Sequence, residues 1–266
     1  MAEQSARMRI GDGAGLRLAM WSGPRNISTA MLRSWGNRAD TYACDEPLYA
    51  HYLSHVNRPH PARDLVIASQ DTDWRRVTRW LTGPIPEGRS VFYQKHMTHH
   101  LLPDIGREWL DRLSHAFLIR APAEMLASLV QNLPEAELAD TGLPQQVELF
   151  DRVADRLGRA PPVIDARDVL ESPERLLRAL CASVDIAFDP AMLHWEPGPR
   201  ATDGVWAPYW YQSVMRSTGF EPPREAAPVP VECRALLAQC EPLYRHLYQH
   251  RLTAEASNAA ELRPAQ

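Results

Sequence analysis

The sequence contains little lysine, little cysteine and no long apolar run. Of its 29 basic residues a single one, Lys95, is a lysine. The 4 cysteines (Cys44, Cys181, Cys233 and Cys240) form no C-x-x-C pair, so we expect free thiols in a reducing compartment rather than a disulfide scaffold. No stretch approaches the roughly 18 apolar residues that a membrane helix needs, and the N-terminus lacks the apolar core of a signal peptide. We therefore expect a cytoplasmic protein without a membrane span.

Length and charge narrow the class of protein further. A net charge of -4 argues against a nucleic-acid-binding surface over the whole molecule. With 266 residues, 45% of them hydrophobic, the chain is long enough to bury one large core, and no repeat marks a boundary. We predict a tail over 1–14, one α/β domain over 15–251 and a second tail over 252–266. Within the domain, 133–144 is a candidate lid and 196–218 a candidate closing loop.

Short apolar runs alternate with segments of helical composition. The apolar runs predict strands at 15–21, 41–44, 90–95, 114–120 and 163–166. The intervening segments predict helices at 29–38, 47–55, 73–81, 103–113, 121–132, 145–157, 173–184 and 231–248, with a loop at 57–64. This order indicates an α/β fold with a central, mostly parallel sheet flanked by helices, in which ligands bind beyond the carboxyl ends of the strands.

The segment S-G-P-R-N-I-S-T, residues 22–29, joins the first predicted strand directly to a helix. The first amides of such a helix have no intrahelical partner and carry the positive end of its dipole, so they attract an anion. Arg25 adds a donor fork suited to phosphate or sulfate, and Ser28 and Thr29 add hydroxyl groups. The triphosphate-binding pattern G-x-x-x-x-G-K-[ST] is absent, because the segment has no lysine. The alternative is an ordinary strand-to-helix turn with a capping serine.

The stretch G-P-R-N-I-S-T resembles the 5'-phosphosulfate loop of sulfotransferases that use 3'-phosphoadenosine 5'-phosphosulfate (PAPS). The resemblance implies that the donor is bound by this loop, through Arg25, Asn26, Ile27, Ser28 and Thr29. One departure is that Asn26 and Ile27 occupy the middle of the loop, where the family usually has a glycine.

Two later segments strengthen the resemblance. In H-A-F-L-I-R-A-P-A-E-M-L-A-S-L, the spacing of Arg120, Pro122 and Ser128 is similar to the family's 3'-phosphate site. The stretch R-A-T-D-G-V-W, with Arg200 and Gly204, is similar to the late loop that closes over the same phosphate, although Ala201 replaces the usual glycine.

Together these likenesses imply a P-loop NTPase-like sulfotransferase fold and transfer of a sulfuryl group from PAPS to a hydroxyl, or an amine, of a small molecule. They imply no metal and no nucleic-acid partner, and they leave a homodimer open. The alternatives are a small-molecule kinase of related architecture, disfavoured by the missing loop lysine, and a non-catalytic nucleotide-binding protein of the same fold.

Lys95 and Arg25 are the candidate cations for the transfer itself. Lys95 is predicted at the carboxyl end of a strand, where its ammonium could follow the charge that develops on the bridging oxygen, and Arg25 could share this role. Two candidate bases are Glu46, which lies at the end of the second predicted strand and is slightly favoured, and His96, with His99 or His100 behind it. The alternative for Glu46 is a helix cap.

Other chemistry has weaker support. His51 and His55 lie four residues apart on one predicted helix, but the pentapeptide H-Y-L-S-H lacks the glutamate of the H-E-x-x-H zinc motif, so we predict no metal site. The aromatic cluster of Trp206 and residues 209–211 either lines an acceptor pocket or anchors a loop.

Overall fold

The computed structural model describes residues 15–57, 60–225 and 227–253, so the predicted tail over 1–14 and nearly all of that over 252–266 lie outside it. A five-stranded sheet forms the centre of the described chain. Its strands are β1 (Leu16–Ser22), β2 (Thr41–Asp45), β3 (Val91–Met97), β4 (Ser114–Ile119) and β5 (Val163–Asp165). All pairings are parallel and the order is β2-β3-β1-β4-β5, which confirms the predicted sheet.

Ten α-helices surround this sheet in the part of the chain that the structure describes. They are α1 (Ser28–Gly36), α2 (Tyr49–His55), α3 (Arg63–Ser69), α4 (Trp74–Leu81), α5 (Pro122–Leu129), α6 (Leu143–Leu157), α7 (Ala166–Glu171), α8 (Pro173–Ser183), α9 (Ala207–Trp210) and α10 (Arg234–Tyr248). No helix among the described residues is both long enough and apolar enough to cross a bilayer.

Helices cover both faces of the sheet because alternate strand residues point to opposite sides. Leu18 and Met20 of β1 pack with α1 and α8. Ala19 and Trp21 pack on the other face with α4, α5, α6 and α10. The alternation along each strand therefore decides which side chains pack against the helices on one face of the sheet and which pack on the other.

One secondary-structure prediction is wrong, and one helix was not predicted. The predicted helix at 103–113 is a series of turns ending in a short 3-10 helix, Glu108–Arg112. Gly106 lies in this segment, and glycine is a poor helix former; a Cβ there would also lie 3.1 Å from the Trp74 ring. The predicted loop at 57–64 ends in α3, whose one buried residue, Val66, packs beside α2 in a small separate cluster.

Helix starts follow the predictions more closely. Asp73 caps α4 by accepting a hydrogen bond from the Arg75 amide at 2.9 Å. Pro173 occupies the first turn of α8, but the preceding Ser172 makes no capping hydrogen bond through its side chain. The closing helix is confirmed as α10, preceded by a 3-10 turn at Val231–Cys233.

Candidate active site

A cavity of about 530 Å³ opens at the carboxyl edge of the sheet, within the usual size range for small-molecule sites. Its lining includes the loop after β1 and the first turn of α1, from Pro24 to Ala30, together with Glu46 after β2 and Lys95 in β3. Leu133 and Asp140 from the candidate lid also line it, as do Trp210 and Tyr211 from the candidate closing loop. The topology thus brings segments from most of the chain to one crevice.

The loop after β1 reaches this crevice through an unusual backbone conformation at Arg25. This residue has φ of 55°, in the left-handed region that non-glycine residues seldom adopt. Its Nε donates a hydrogen bond to Ser128 Oγ at 2.8 Å, and its carbonyl accepts one from Arg120 Nη1 at 2.7 Å. Three of the predicted donor-binding residues are therefore in contact with one another.

The guanidinium of Arg25 lies at the cavity, where its positive charge would attract an anion. Burial lowers the pKa of Arg25, and the positive charge of Arg120 lowers it further. Arg25 has no carboxylate partner within ion-pair distance among the residues that the structure describes. The N-terminus of α1 also points to the cavity without a side-chain cap, because Ile27 precedes it.

Asn26 and Ile27, which replace the expected glycine, hold the loop in place. Asn26 Nδ2 donates to the Leu118 carbonyl near the end of β4 at 3.2 Å, and Ile27 packs against the core on the α1 side of the sheet. Asn26 Oδ1 is buried and has no hydrogen-bond partner. Because Arg25 itself adopts the positive φ, the loop turns without a glycine in its middle.

Lys95 is the centre of a buried polar cluster. Its Nζ donates to Asp45 Oδ1 at 2.7 Å, to Glu46 Oε1 at 2.5 Å and to the Tyr211 hydroxyl at 2.9 Å. That hydroxyl donates in turn to Asp45 Oδ2 at 2.6 Å and accepts from Trp206 Nε1 at 3.0 Å. All three hydrogens of the ammonium and all the bonding capacity of the hydroxyl are therefore used.

Burial and charge act in opposite directions within this cluster. Burial raises the pKa of Glu46 above its ordinary value, although the neighbouring Lys95 ammonium pulls it down. Burial disfavours the charged form of Lys95, but the carboxylates of Asp45 and Glu46 outweigh it and raise the pKa of Lys95 well above its ordinary value. Lys95 therefore stays charged, and Glu46 has the raised basicity expected of a proton acceptor.

The backbone directs Glu46 toward the cavity. Its φ is 45°, again in the left-handed region, and its amide donates to the Lys95 carbonyl at 2.9 Å. Gln70 Nε2 holds the Glu46 carbonyl from the other side at 3.2 Å. The carboxylate follows the last residue of β2 and lines the cavity instead of capping α2, which has no side-chain cap.

His96 does not line the cavity, in contrast to its prediction as a candidate base. Because Lys95 and His96 are adjacent in β3, they point to opposite faces of the sheet. The His96 ring stacks on Trp21 with centroids 4.3 Å apart, and burial lowers the pKa of His96 to about 3. His99 and His100, from the 3-10 turn after β3, line the cavity instead.

Arg200 and Gly204 also lie outside the cavity lining. Arg200 Nη2 donates to the Glu196 carbonyl at 3.0 Å, within its own loop. A Cβ at Gly204 would lie 2.2 Å from the Trp206 ring, so Gly204 permits close packing of that indole. The loop is fastened to α1 by a two-pronged pair between Arg33 and Asp203, with N–O distances of 2.6 and 2.8 Å.

Sequence reasoning missed Asp45 and Tyr211 as partners of Lys95. In the sequence Asp45 is the neighbour of Glu46 and Tyr211 is one of four aromatic residues, and neither is predicted as a partner of Lys95. Position 211 is far from positions 45 and 95 in the chain, so no local spacing could have linked them. The unusual retention of one lysine was the available clue, since a buried lysine requires acidic or hydroxyl partners.

Comparison with known proteins gives the context for this geometry. Residues 16–251 match the sequence model of the sulfotransferase domain. Two solved structures share the fold. They are the sulfotransferase domain from the curacin biosynthetic pathway (TM-score 0.51, 16% identity, 87% of this chain and 99% of that one) and a sulfotransferase from Alicyclobacillus acidocaldarius (TM-score 0.51, 15% identity, 92% and 99%).

Two curated proteins of Arabidopsis thaliana are also similar. They are named branched-chain-amino-acid aminotransferase-like proteins 1 and 2, with 36% identity over 232 residues and 34% over 233. Each match covers 86% of this chain and 41% of the relative, so the chain spans about two-fifths of the length of these relatives. The family assignment rests on the sulfotransferase-domain match, which covers nearly all of the described residues: the chain belongs to the sulfotransferase family.

Proposed function

We propose that the protein transfers a sulfuryl group from PAPS to a hydroxyl, or an amine, of a small molecule. One observation carries the proposal. The free N-terminus of α1 and the Arg25 and Arg120 guanidinium groups lie at the same cavity as a buried carboxylate, Glu46, whose pKa is raised by burial. An anion site and a candidate base thus share one space.

The donor end of the cavity suits a molecule with anions at two positions. The amides at the start of α1 and the Arg25 side chain would hold the phosphosulfate group. Arg120 and Ser128 would hold the 3'-phosphate, with Ser128 exchanging its present bond from Arg25 for one to the ligand. Arg200 requires movement of its loop to take part, because it now lies outside the cavity lining.

In the proposed step one bond to sulfur breaks, another forms, and one proton is transferred. The acceptor oxygen attacks sulfur, and a new S–O bond forms as the bond from sulfur to the bridging phosphate oxygen breaks. The acceptor's proton passes to Glu46, and 3',5'-diphosphoadenosine leaves. Lys95 would orient the Glu46 carboxylate, because its three N–H groups are already used and none is free for the bridging oxygen.

The acceptor side of the cavity is aromatic and mostly uncharged. His100 stacks between Tyr49 and Tyr52, with centroid distances of 4.3 and 4.7 Å. Burial lowers the pKa of His100 well below its ordinary value and that of His99 to about 4, so both rings are neutral at pH 7. Such walls favour an acceptor with an uncharged, flat or apolar body.

The names of the plant relatives suggest amino transfer, but this chain does not favour it. Aminotransferases form a Schiff base between a lysine and pyridoxal phosphate, which requires a neutral amine. The one lysine of this sequence, Lys95, is bound to two carboxylates, which raise its pKa.

Binding and turnover test the proposal separately. We expect 3',5'-diphosphoadenosine to raise the melting temperature and to bind in calorimetry, whereas ATP with magnesium does not. Arg120→Ala should abolish this binding. Arg178→Ala, which removes an exposed arginine paired with Glu174, is the matched control and should leave it unchanged. Stabilisation by ATP and magnesium alone would refute the donor assignment and favour a kinase.

Labelled PAPS and a panel of alcohols and amines test catalysis. Glu46→Gln should still bind 3',5'-diphosphoadenosine but lose about 10²- to 10⁴-fold in turnover, the usual contribution of a general base. His96→Gln should retain turnover, because its ring lies on the other face of β3. Loss of activity in His96→Gln or His100→Asn with normal activity in Glu46→Gln would reassign the base. Binding without sulfation of any acceptor would favour a non-catalytic protein.

A further inference from the structure

Helix α2 carries two histidines that face a carboxylate on the loop after β3. One nitrogen or oxygen from each of His51, His55 and Asp104 lies within 4.8 Å of the others. The His51 and His55 rings have centroids 4.2 Å apart, and His51 Nε2 lies 3.3 Å from Asp104 Oδ2. These three residues are separate from the lining of the cavity described above.

Backbone carbonyls fix the tautomer of both histidines. His51 Nδ1 lies 2.9 Å from the Thr72 carbonyl, and His55 Nδ1 lies 2.9 Å from the His51 carbonyl. A carbonyl oxygen has no hydrogen, so His51 Nδ1 must carry the proton and donate it. His55 Nδ1 has a second neighbour, Ser54 Oγ at 3.0 Å, and this hydroxyl donates to the His51 carbonyl at 2.7 Å, which leaves the Nδ1–H of His55 as the donor. The Nε2 atom of each ring then presents a lone pair, as in histidines whose other nitrogen is held by a backbone carbonyl while they ligate a metal.

The carboxylate next to His51 Nε2 favours a positive charge at this position. His51 is 2% exposed, and its Nε2 is buried without a hydrogen-bond partner. In the tautomer set by Thr72, this lone pair faces the Asp104 carboxylate oxygen at 3.3 Å, and two electron-rich atoms at that distance repel each other. A metal ion between the two atoms would remove this repulsion.

We propose that His51, His55 and Asp104 bind a zinc-type divalent cation, with water completing a tetrahedron. Zinc–nitrogen and zinc–oxygen bonds of about 2.0–2.1 Å place neighbouring tetrahedral ligands about 3.4 Å apart. The His51–Asp104 distance already meets this requirement. His55 and Asp104 are both exposed, so their side chains can close the remaining gap without disturbing the core.

This metal would join two walls of the cavity. Tyr49, Tyr52 and Leu53 of α2 line the cavity, and so do His99 and His100, which precede Asp104 on the loop after β3. A cation shared by α2 and this loop would hold their spacing fixed. The site therefore has a structural role that goes beyond the proposed sulfuryl transfer and does not depend on it.

Metal binding can be measured directly on the full chain, prepared without a histidine tag and stripped with a chelator. Zinc chloride titrated at pH 7.5 should bind with one equivalent in calorimetry and raise the melting temperature by several degrees at saturation. Cobalt(II) should give the intense visible absorption of a tetrahedral site. His55→Ala and Asp104→Ala should each weaken zinc binding by about 10–100-fold or more. Both residues are exposed, so these variants should fold even if His51→Ala does not.

His250→Ala is the matched control, because His250 is exposed and follows His246 by the same four residues. It should leave zinc affinity and stoichiometry unchanged. Loss of the site in His250→Ala, or unchanged affinity in both His55→Ala and Asp104→Ala, would overturn the proposal. Absence of zinc binding to the unsubstituted chain would also overturn it.

Discussion

Replacing Tyr211 with phenylalanine removes a single oxygen that joins three buried groups. The hydroxyl donates to Asp45 at 2.6 Å and accepts from Lys95 at 2.9 Å and from Trp206 Nε1 at 3.0 Å. Phenylalanine fills nearly the same volume, so little packing is lost. The variant Tyr211→Phe therefore isolates the hydrogen bonds of the cluster from its shape.

The cost follows from the groups left without a partner. The Trp206 indole N–H, with its residue 1% exposed, and one N–H of Lys95 lose their acceptor, and Asp45 loses a donor. Each unsatisfied buried group costs about 1–3 kcal/mol, and the losses overlap because the groups belong to one network. We expect a total of about 3 kcal/mol, which for a chain of this size lowers the melting temperature by roughly 6 °C.

Calorimetry and urea denaturation measure this loss, and Tyr209→Phe is the matched control. Tyr209 lies two residues away and is 44% exposed, so removal of its hydroxyl should leave the melting temperature within about 1 °C. An equally small change in Tyr211→Phe would show that the hydroxyl does not support the cluster.

Three further changes test other parts of the structure. Asp203→Asn leaves the buried Arg33 charge without its carboxylate and should cost about 3–5 kcal/mol of unfolding free energy in urea denaturation. Gly204→Ala places a Cβ 2.2 Å from the Trp206 ring and should lower stability in the same assay by about 1–3 kcal/mol. Burial lowers the pKa of His115 to about 4 in the folded protein, so the unfolded chain takes up its proton first as the pH falls. The part of the stability that depends on neutral His115 should therefore be full above about pH 6.5 and decline toward pH 4 by up to about 1.4 kcal/mol per pH unit. Burial also lowers the pKa values of His96, His99 and His100, so His115→Gln should make the overall decline shallower by this part without abolishing it.

Each of these three predictions has a matched control substitution. Arg178→Ala breaks an exposed pair and should cost no more than about 1 kcal/mol, and an equal cost in Asp203→Asn would contradict the buried-pair argument. Gly36→Ala meets only an ordinary contact, 3.6 Å from the Ala43 Cβ, so it should not destabilise α1. For the pH dependence, His194→Gln removes an exposed histidine and should leave the decline unchanged. A profile that is flat between pH 6.5 and 4.5 would refute the prediction for His115.

The order of strands and helices was predictable because each apolar run is short and ends at a polar turn. Composition was a poor guide at 103–113, where it favours a helix but the chain forms turns around Gly106, which lies close to the Trp74 ring. Composition failed again at α3, a helix with one buried residue, whose formation depends on packing beside α2 rather than on its own periodicity. Local sequence does not contain either packing constraint.

The turn at residues 22–29 shows how much of the candidate site could be predicted from the sequence. The prediction of an anion-binding turn at residues 22–29 follows from a strand that ends directly before a helix, because the helix-start amides and the nearby arginine are both properties of local sequence. The positive φ of Arg25 and the bond from Asn26 to the Leu118 carbonyl required the neighbouring strand, so the apparent lack of a loop glycine had no local explanation.

By itself the sequence determined the alternation of elements, the strand-to-helix turn at residues 22–29 and the acidic residue that follows β2. Tertiary structure decided which of the candidate side chains meet. The pleat of β3 turns Lys95 toward the cavity and His96 away from it, and the closing loop brings Tyr211 to Asp45 from a distant part of the chain. The physical reason is that contacts between distant segments depend on register and packing, which are properties of the whole fold. The cluster of His51, His55 and Asp104 depends on the fold in the same way. The two histidines share one helix, but Asp104 reaches them only because the fold brings its loop beside that helix.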